Sequence, residues 1–274
     1  MQKRHINRHQ YFLEQGKSTA KYVLPYIFNG LEQRHPCATG KECRVLEIGC
    51  GEGGNLSPFL EAGCTCWGVE LSQTSLRNAR SFYAGHPLLP NVHFVHKDIY
   101  DVTPEEVGGV FDIVFLKDVI EHIPDQARLM HHLKRFVSPT GVLFISFPPW
   151  RMPFGGHQQV CSNKWISRMP YIHLFPKPVY RAILRMFGLP DAEVKGLLDI
   201  ADTGISIGRF KKCVRQEKYE VIKKTNWLVN PNYEVKFGLK PRRVPIFFKI
   251  PYIHDFYTTA VYYLLKQGAH AELS

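Results

Sequence analysis

Residues 45–54 read VLEIGCGEGG, an apolar run that leads directly into a glycine-dense turn and then into a helical pattern beginning at Asn55. Glycine is needed where the backbone takes a positive φ and where a ligand approaches the main chain without a Cβ in its way. Glu70 follows nineteen residues after Gly51, at the end of the next apolar run. A carboxylate there can accept hydrogen bonds from both hydroxyls of a ribose. The stretch therefore predicts a strand, a turn and a helix across which a nucleoside-bearing cofactor lies.

Acidic residues in this stretch narrow the class of cofactor. A dinucleotide would also use such a turn, because a pyrophosphate binds well at the start of a helix. Glu47 lies two positions before Gly49, and Glu52 lies inside the turn. Both carboxylates would repel a pyrophosphate, whereas they suit a cofactor that carries an ammonium and a sulfonium. The two glutamates favour the second kind of cofactor.

The surrounding sequence predicts an α/β fold. Between Cys43 and Phe147, apolar β-rich runs alternate with amphipathic stretches, which is typical of a parallel sheet covered by helices on both faces. The predicted strands are 45–48, 66–70, 92–96, 111–116 and 141–147. The predicted helices are 11–28, 55–62, 72–83 with Ser72 as N-cap, and 125–137.

The rest of the chain predicts a cap and the end of the sheet. Residues 148–203 break the alternation with prolines, aromatics and a short helix at 179–187. A helix at 205–216 and strands at 219–229 and 257–265 follow, and the segment 231–251 joins the two strands. We expect a doubly wound, seven-stranded, mostly parallel sheet with a reversed final strand. The predicted organisation is an N-terminal helical segment 1–42, a cofactor-binding core 43–147, an acceptor-binding cap 148–203 and a completing part 204–274.

Four features in the right chain order resemble the class I, Rossmann-like S-adenosylmethionine-dependent methyltransferases over residues 45–147. The first motif of that family has an acid and then three alternate glycines, as Glu47, Gly49, Gly51 and Gly53 have here. Glu70 and Asp98 match its ribose and adenine positions. Residues 116–125, LKDVIEHIPD, resemble the motif of the ubiquinone and small-molecule O-methyltransferase branch.

The resemblance implies S-adenosylmethionine as cofactor. The glycine turn would hold its amino acid part, Glu70 its ribose, and Asp98 its adenine, with Ile99 as an apolar wall. The residues expected to bind the cofactor are Glu47, Gly49, Cys50, Gly51, Gly53, Asn55, Glu70, Leu71, Asp98, Ile99, Lys117 and Asp118.

Candidate catalytic residues are few, because methyl transfer from a sulfonium needs an aligned nucleophile, a dry site and sometimes a base. His157 is the first candidate base, since it lies just beyond the fifth strand, where acceptors enter open α/β sheets. Gly155 and Gly156 would let it swing over the site. His122 is a second candidate. In the alternative interpretations His157 is a loop histidine bonded to backbone, and Glu121 and His122 cap a helix.

The formal net charge of +11 over 274 residues is the unusual bulk property. It indicates either a solvated basic surface or an anionic partner. Residues 240–252 join basic side chains to apolar bulk, which suits an anionic membrane, a lipid-linked acceptor or RNA, unless the segment packs in the core. Trp150 and Phe154 would wall the acceptor pocket or pack in the core.

Seven cysteines without a C-x-x-C pair indicate reduced, mostly buried thiols, and we expect no metal site. A polar start at residues 1–5 and the lack of a long apolar run predict a cytoplasmic protein.

The expected reaction is O-methylation of a small-molecule, glycan or lipid-linked acceptor. The alternatives are an RNA methyltransferase and a cofactor-binding protein without transfer activity.

Overall fold

A single mixed sheet organises the chain, and the computed structural model describes residues 7–31, 37, 42–248 and 250–268. The polar start at residues 1–5 lies outside that range. The sheet order is β3-β2-β1-β4-β5-β8-β6-β7. The strands are β1 Arg44–Ile48, β2 Thr65–Glu70, β3 Val92–His96, β4 Phe111–Lys117, β5 Val137–Phe147, β6 Tyr219–Val229, β7 Arg242–Arg243 and β8 Ala260–Gln267.

The predicted α/β fold is confirmed, with a different strand count. Strands β1 to β5 are parallel, and β8 runs antiparallel to both β5 and β6, as expected for the reversed final strand. The eighth strand, β7, pairs with the outer edge of β6. Its two residues are too few to show any periodicity, so the sequence predicted a plain connection there. Strand β8 begins at Ala260 rather than Tyr257, because His254–Phe256 forms a 3₁₀ turn.

Nine α-helices lie among the described residues. They are α1 Arg8–Ser18, α2 Leu24–Phe28, α3 Ser57–Glu61, α4 Gln73–Tyr83, α5 Gln126–Leu133, α6 Lys177–Met186, α7 Asp191–Thr203, α8 Ile207–Gln216 and α9 Asn232–Phe237. A π-helical turn, Thr19–Val23, joins α1 to α2. The predicted N-cap is confirmed, because the Ser72 hydroxyl accepts a hydrogen bond from the Ser75 amide. Helices α7 and α9 were not predicted. None of the described helices is long and apolar enough to cross a bilayer.

The sheet separates two apolar cores, and the cap has a third. Alternate residues of β5 face opposite sides, so that Leu143 and Ile145 belong to one core and Phe144 to the other. The cap core is built around Tyr180 and Leu184 of α6. Its remaining buried members are Cys161, Ile166, Ile172, Leu189, Val194, Leu197 and Leu198. Residues of the cap thus pack on one another beside the sheet.

One cysteine pair differs from the prediction of wholly reduced thiols. Cys37 and Cys43 form a disulfide, with their Cα atoms 4.8 Å apart. Cys43 directly precedes β1, so the bond attaches residue 37 to the start of the sheet. An odd number of cysteines without a motif gave no signal for this pair. The other five cysteines are free and buried.

The ring of Phe144 should be a main support of the second core. It is fully buried in β5, and its centroid lies 5.8 Å from that of Tyr26 and 5.3 Å from that of Tyr262. We expect Phe144→Ala to lower the free energy of unfolding by about 3–5 kcal/mol, because transfer free energy is lost and a cavity is left. Urea denaturation measures this. Phe247→Ala, at a ring that is 86% exposed, is the control and should change stability by less than about 0.5 kcal/mol.

Candidate functional site

The turn after β1 holds three glycines in the left-handed region. Their φ angles are +69° at Gly49, +56° at Gly51 and +75° at Gly53, values that strain any residue with a Cβ. A Cβ at Gly49 would lie 2.7 Å from a methyl carbon of Val119, whereas a Cβ at Gly51 would meet no atom within 4 Å. Gly51 is therefore the position where a ligand can approach the main chain.

Glu70 is fixed beside this turn by two backbone amides. Its carboxylate accepts hydrogen bonds from Gly51 N at 2.9 Å and from Ser72 N at 2.8 Å. These bonds join the end of β2 to the glycine turn on one side and to the N-terminus of α4 on the other. Carboxylate oxygens can each accept more than one hydrogen bond. Glu70 can therefore hold the turn and still receive hydroxyl donors from a ligand.

A buried polar network lies beneath the turn. Asn55 donates to Glu47 Oε1 at 2.7 Å and accepts from Lys117 Nζ at 3.0 Å and from the Thr19 hydroxyl at 2.8 Å. Burial raises the pKa of Glu47 to about 8 and lowers the pKa of Lys117. Glu47 Oε2 has no partner among the described residues. The network links β1, β4 and the N-terminal helical segment at one point below the ligand-facing backbone.

Two clefts flank Gly49 at the carboxyl ends of the parallel strands. A cleft of about 190 Å³ is lined by Gly49, Gly51, Asn55, Lys117 and Asp118 among others. A cleft of about 640 Å³ is lined by Gly49, Glu70, Leu71, Asp98, Ile99 and Asp118 among others. Of the remaining predicted cofactor residues, Glu47 is buried beneath the turn, and Cys50 and Gly53 are buried within it. Both clefts lie where the strand order reverses between β1 and β4, which is where open α/β sheets bind ligands.

The two candidate catalytic histidines lie side by side. The ring centroids of His122 and His157 are 5.0 Å apart, and His122 Nε2 is 4.0 Å from Glu121 Oε1. Nitrogen and oxygen atoms of all three side chains fall within 4.8 Å of one another. His122 and Asp118 line the larger cleft. The structure therefore places His122 in the cleft that holds Glu70 and Asp98, with the His157 ring against it.

Glu121 is buried without a hydrogen-bond partner among the described residues. It is 3% exposed, and neither carboxylate oxygen is bonded. Burial, together with the charge of Asp118, raises its pKa well above the usual range. Burial lowers the pKa of His122, and burial with the neighbouring His122 and His173 rings lowers that of His157 to about 4. With their pKa values lowered, the two imidazoles in their neutral form can accept a proton or bind a divalent cation.

The interpretation of Glu121 and His122 as helix caps is wrong. Asp125 caps α5, because its side chain accepts a hydrogen bond from the Arg128 amide at 2.9 Å. Glu121 and His122 instead belong to a separate 3₁₀ turn, Ile120–His122. This turn presents them to the site rather than to the helix.

The two glycines before His157 fix the loop instead of allowing it to swing. A Cβ at Gly155 would lie 2.1 Å from the Trp150 carbonyl oxygen, and a Cβ at Gly156 would lie 2.3 Å from the Cβ of His173. His173 Nε2 is bonded to that same Trp150 oxygen at 2.7 Å. Close packing, and not flexibility, explains these glycines. His157 is therefore held in place, with a left-handed backbone at φ +58°.

The comparison with protein families decides between the cofactor classes. A family model described as a methyltransferase domain matches residues 8–193, which is well over half of the chain. The chain belongs to this family. The match covers the glycine turn, Glu70, Asp98, the Glu121–His122 turn and His157, and the predicted class I methyltransferase is confirmed.

Individual relatives of this methyltransferase-domain protein share part of its length. The ubiquinone biosynthesis O-methyltransferase of Pseudomonas aeruginosa is 32% identical over 125 residues, which are 45% of this chain and 51% of that protein. The chain thus spans about half the length of this relative. The protein of the same name from Acinetobacter baumannii is 23% identical over 222 residues, 78% of this chain and 82% of its own.

A solved structure supports the fold. The S-adenosylmethionine-dependent methyltransferase from Clostridium acetobutylicum aligns with a TM-score of 0.56 at 12% sequence identity, covering 92% of each chain. At this identity the likeness concerns the fold alone.

The methyltransferase domain has site residues that its motifs did not reveal. The smaller cleft is also lined by Arg8, Tyr11, Glu14, Gln15 and Ser18 of α1 and by Asn232, Val235 and Lys236 of α9. Arg8 Nε donates to Glu52 Oε1 at 2.6 Å, so a cation pairs with Glu52 where both line the smaller cleft. Ser18 bonds Asn232, and Lys21 Nζ donates to Glu234 at 2.6 Å. Because α1 and α9 are distant in sequence and lack a motif, their meeting over the turn gave no sequence signal.

Burial of Glu47 should make the stability of the ligand-free methyltransferase depend on pH. A carboxyl with a raised pKa binds its proton more tightly in the folded state, so stability is greatest below about pH 4.5 and falls as pH rises toward 8. We expect Glu47→Gln to remove up to about 1.4 kcal/mol per pH unit of this dependence. Urea denaturation between pH 5 and 8 measures it. Glu61→Gln, at an exposed residue of α3, is the control, and an equally flattened profile there would contradict the assignment.

Proposed function

We propose that this chain is an S-adenosylmethionine-dependent methyltransferase that transfers the methyl group to an oxygen of a small-molecule, glycan or lipid-linked acceptor. The observation that carries the proposal is the meeting of a ligand-accessible glycine turn with Glu70 and, in the adjoining cleft, with the His122–His157 pair. The names of the two curated relatives support an oxygen on a small molecule as the acceptor atom. The lowered pKa values of His122 and His157 support a neutral imidazole as the group that accepts a proton from a hydroxyl.

The residues of both clefts fit this cofactor. S-adenosylmethionine supplies an electrophilic methyl on a sulfonium, so transfer needs no covalent enzyme intermediate. Glu70 would hold the ribose hydroxyls, Asp98 the adenine amino group, and Ile99 with Leu71 the apolar faces of the ring. Gly49, Gly51, Asn55, Lys117 and Asp118 would line the amino acid end. Glu47, Cys50 and Gly53 would support the turn from below.

The acceptor would be held beneath the cap at residues 148–203. His157 belongs to the loop that leads from β5 into the cap, and Trp150 in the same loop packs its ring against that of His173, 4.6 Å between centroids. The acceptor hydroxyl would donate its proton to the neutral His157 ring as the methyl is transferred. Glu121, which is buried beside the two rings, and His122 would hold the His157 ring in position. Held this way, His157 does not depend on a loop movement.

Cofactor affinity should depend on the space above Gly51. We expect Gly51→Val to lower S-adenosylmethionine affinity by at least about tenfold, because a side chain would occupy the path of the ligand, and Glu70→Ala to have a similar effect through lost charge-assisted hydrogen bonds. Isothermal titration calorimetry measures both.

Gly63 provides a matched control for backbone strain. It also has a positive φ, +86°, and open space at its Cβ position, but it lies between α3 and β2 outside both clefts. Gly63→Val should cost similar stability and leave the affinity unchanged. Unchanged affinity in the Gly51 and Glu70 variants would refute the cofactor assignment.

Turnover should depend on His157 while cofactor affinity does not. We expect His157→Ala to reduce transfer of labelled methyl from S-adenosylmethionine into cell-extract acceptors by about 10²–10⁴-fold. The extract is separated into lipid, nucleic-acid, protein and small-molecule fractions, so the same assay reports the acceptor class. His131→Ala, at a ring that is 74% exposed on α5, is the control. Full turnover without His157 would remove it as the base, and loss of activity on chelation with recovery on added Mg²⁺ or Zn²⁺ would make the trio a metal site instead.

A further inference from the structure

The segment between α9 and β8 exposes an unusual amount of apolar side chain. Phe247 is 86% exposed, Ile246 78% and Tyr252 73%. Roughly half of each of five more side chains is exposed, those of Phe237, Leu239, Phe248, Ile250 and Ile253. We call these eight residues the apolar edge. Monomeric soluble proteins rarely leave large apolar groups in contiguous exposure unless the surface binds something.

The apolar edge is held in place by bonds at both ends. The Val244 side chain is buried, and its amide donates to the Asn226 carbonyl of β6 at 2.9 Å. At the other end His254 Nδ1 is bonded to the Ile250 carbonyl at 2.6 Å, and the Tyr257 hydroxyl donates to the Phe248 carbonyl. The exposure therefore belongs to a segment with a defined conformation. Its side chains point outward while its backbone is anchored to the sheet.

Positive charge accompanies the apolar edge. Between Glu234 and Asp255 the sequence contains five Lys or Arg residues and no acidic residue. Lys240, Arg242 and Arg243 are exposed, and the latter two form β7 at the outer edge of the sheet. A surface that has exposed apolar side chains and cations but no acidic residue is complementary to an anionic bilayer, whose headgroups are negative and whose interior is apolar.

We propose that the apolar edge docks this protein on an anionic lipid bilayer. Aromatic rings suit the headgroup boundary, and the branched side chains of Ile246, Ile250 and Ile253 gain by entering the acyl region. Lys240, Arg242 and Arg243 contact lipid phosphates. RNA fits this surface less well, because isoleucine and leucine have no ring on which a base can stack.

Just beyond the apolar edge, at Phe256, the chain contacts the cap. The Tyr171 hydroxyl donates to the Phe256 carbonyl at 3.0 Å, and the Arg151 guanidinium lies 6.0 Å from the centroid of the Phe256 ring. Arg151 follows Trp150 in the loop that leads to His157. A bilayer bound at the apolar edge would thus lie close to the elements that are proposed to hold the acceptor. This link rests on the proposed function and selects the lipid-linked class among its acceptors.

Vesicle flotation of the full-length protein tests the docking surface without any acceptor. We expect binding to vesicles of phosphatidylcholine with 30% phosphatidylglycerol, on the order of tenfold weaker binding to pure phosphatidylcholine, and weakening by salt. Ile246→Ser with Phe247→Ser should lower binding at least tenfold. Leu89→Ser with Val110→Ser is the control, since both side chains are apolar and about 40% exposed and lie outside the apolar edge, Leu89 shortly before β3 and Val110 directly before β4.

Charge reversal tests the second half of the surface. Lys240→Glu with Arg242→Glu should abolish the preference for anionic vesicles, whereas Arg77→Glu with Arg80→Glu on α4 should leave it intact. Equal binding of wild type and variants would overturn the proposal. Two other results would also overturn it if the wild type did not bind vesicles. One is self-association in light scattering that depends on Phe247, and the other is binding to poly(U) that depends on Phe247. S-adenosylmethionine affinity, measured in parallel, should be unchanged in every variant, which separates a failure here from a failure of the proposed enzyme.

Discussion

The hydrogen bond from the Gly51 amide to Glu70 joins the two elements on which the site depends. It ties the glycine turn after β1 to the end of β2, and the second Glu70 oxygen ties β2 to α4 through Ser72. The turn can take this shape because Gly49, Gly51 and Gly53 all have positive φ. Its underside is held by Glu47 through Asn55, which Lys117 and Thr19 also contact. The glycine turn thus separates the two clefts, since Gly49 lines both of them.

The parts of the fold that the sequence predicted are those with local signals. Buried parallel strands read as apolar runs, and Ser72 marks the start of α4 as any N-cap does. The parts that it missed depend on distant contacts. Helix α9 was not predicted, and its Asn232 meets Ser18 across more than two hundred residues. Strand β7 forms because Arg242 and Arg243 pair with the outer edge of β6. The Cys37–Cys43 disulfide likewise follows no spacing rule.

The same distinction applies to the site. Glu70, Asp98 and Asp118 follow strands whose carboxyl ends must meet at one edge, so their convergence was predictable. The pairing of His122 with His157 was not, because it depends on how the loop after β5 packs against Trp150 and His173. The sequence also contains no sign that Glu121 is buried without a hydrogen-bond partner in the described part of the chain, because a glutamate before a helix is interpreted as a helix cap. Packing buries that carboxyl and thereby raises its pKa.

Charge is divided between two regions of the molecule, and this division explains how one chain can be strongly basic and still hold a cationic cofactor. Glu70, Asp98 and Asp118 line the larger cleft, and Glu47 is buried beneath the glycine turn near Lys117. Lys240, Arg242 and Arg243 lie at the other edge of the sheet, beyond β6. Fields between exposed charges fade over about 8–10 Å at physiological salt. The carboxylates of the larger cleft therefore attract a sulfonium ligand independently of Lys240, Arg242 and Arg243, and the edge remains free to bind an anionic surface.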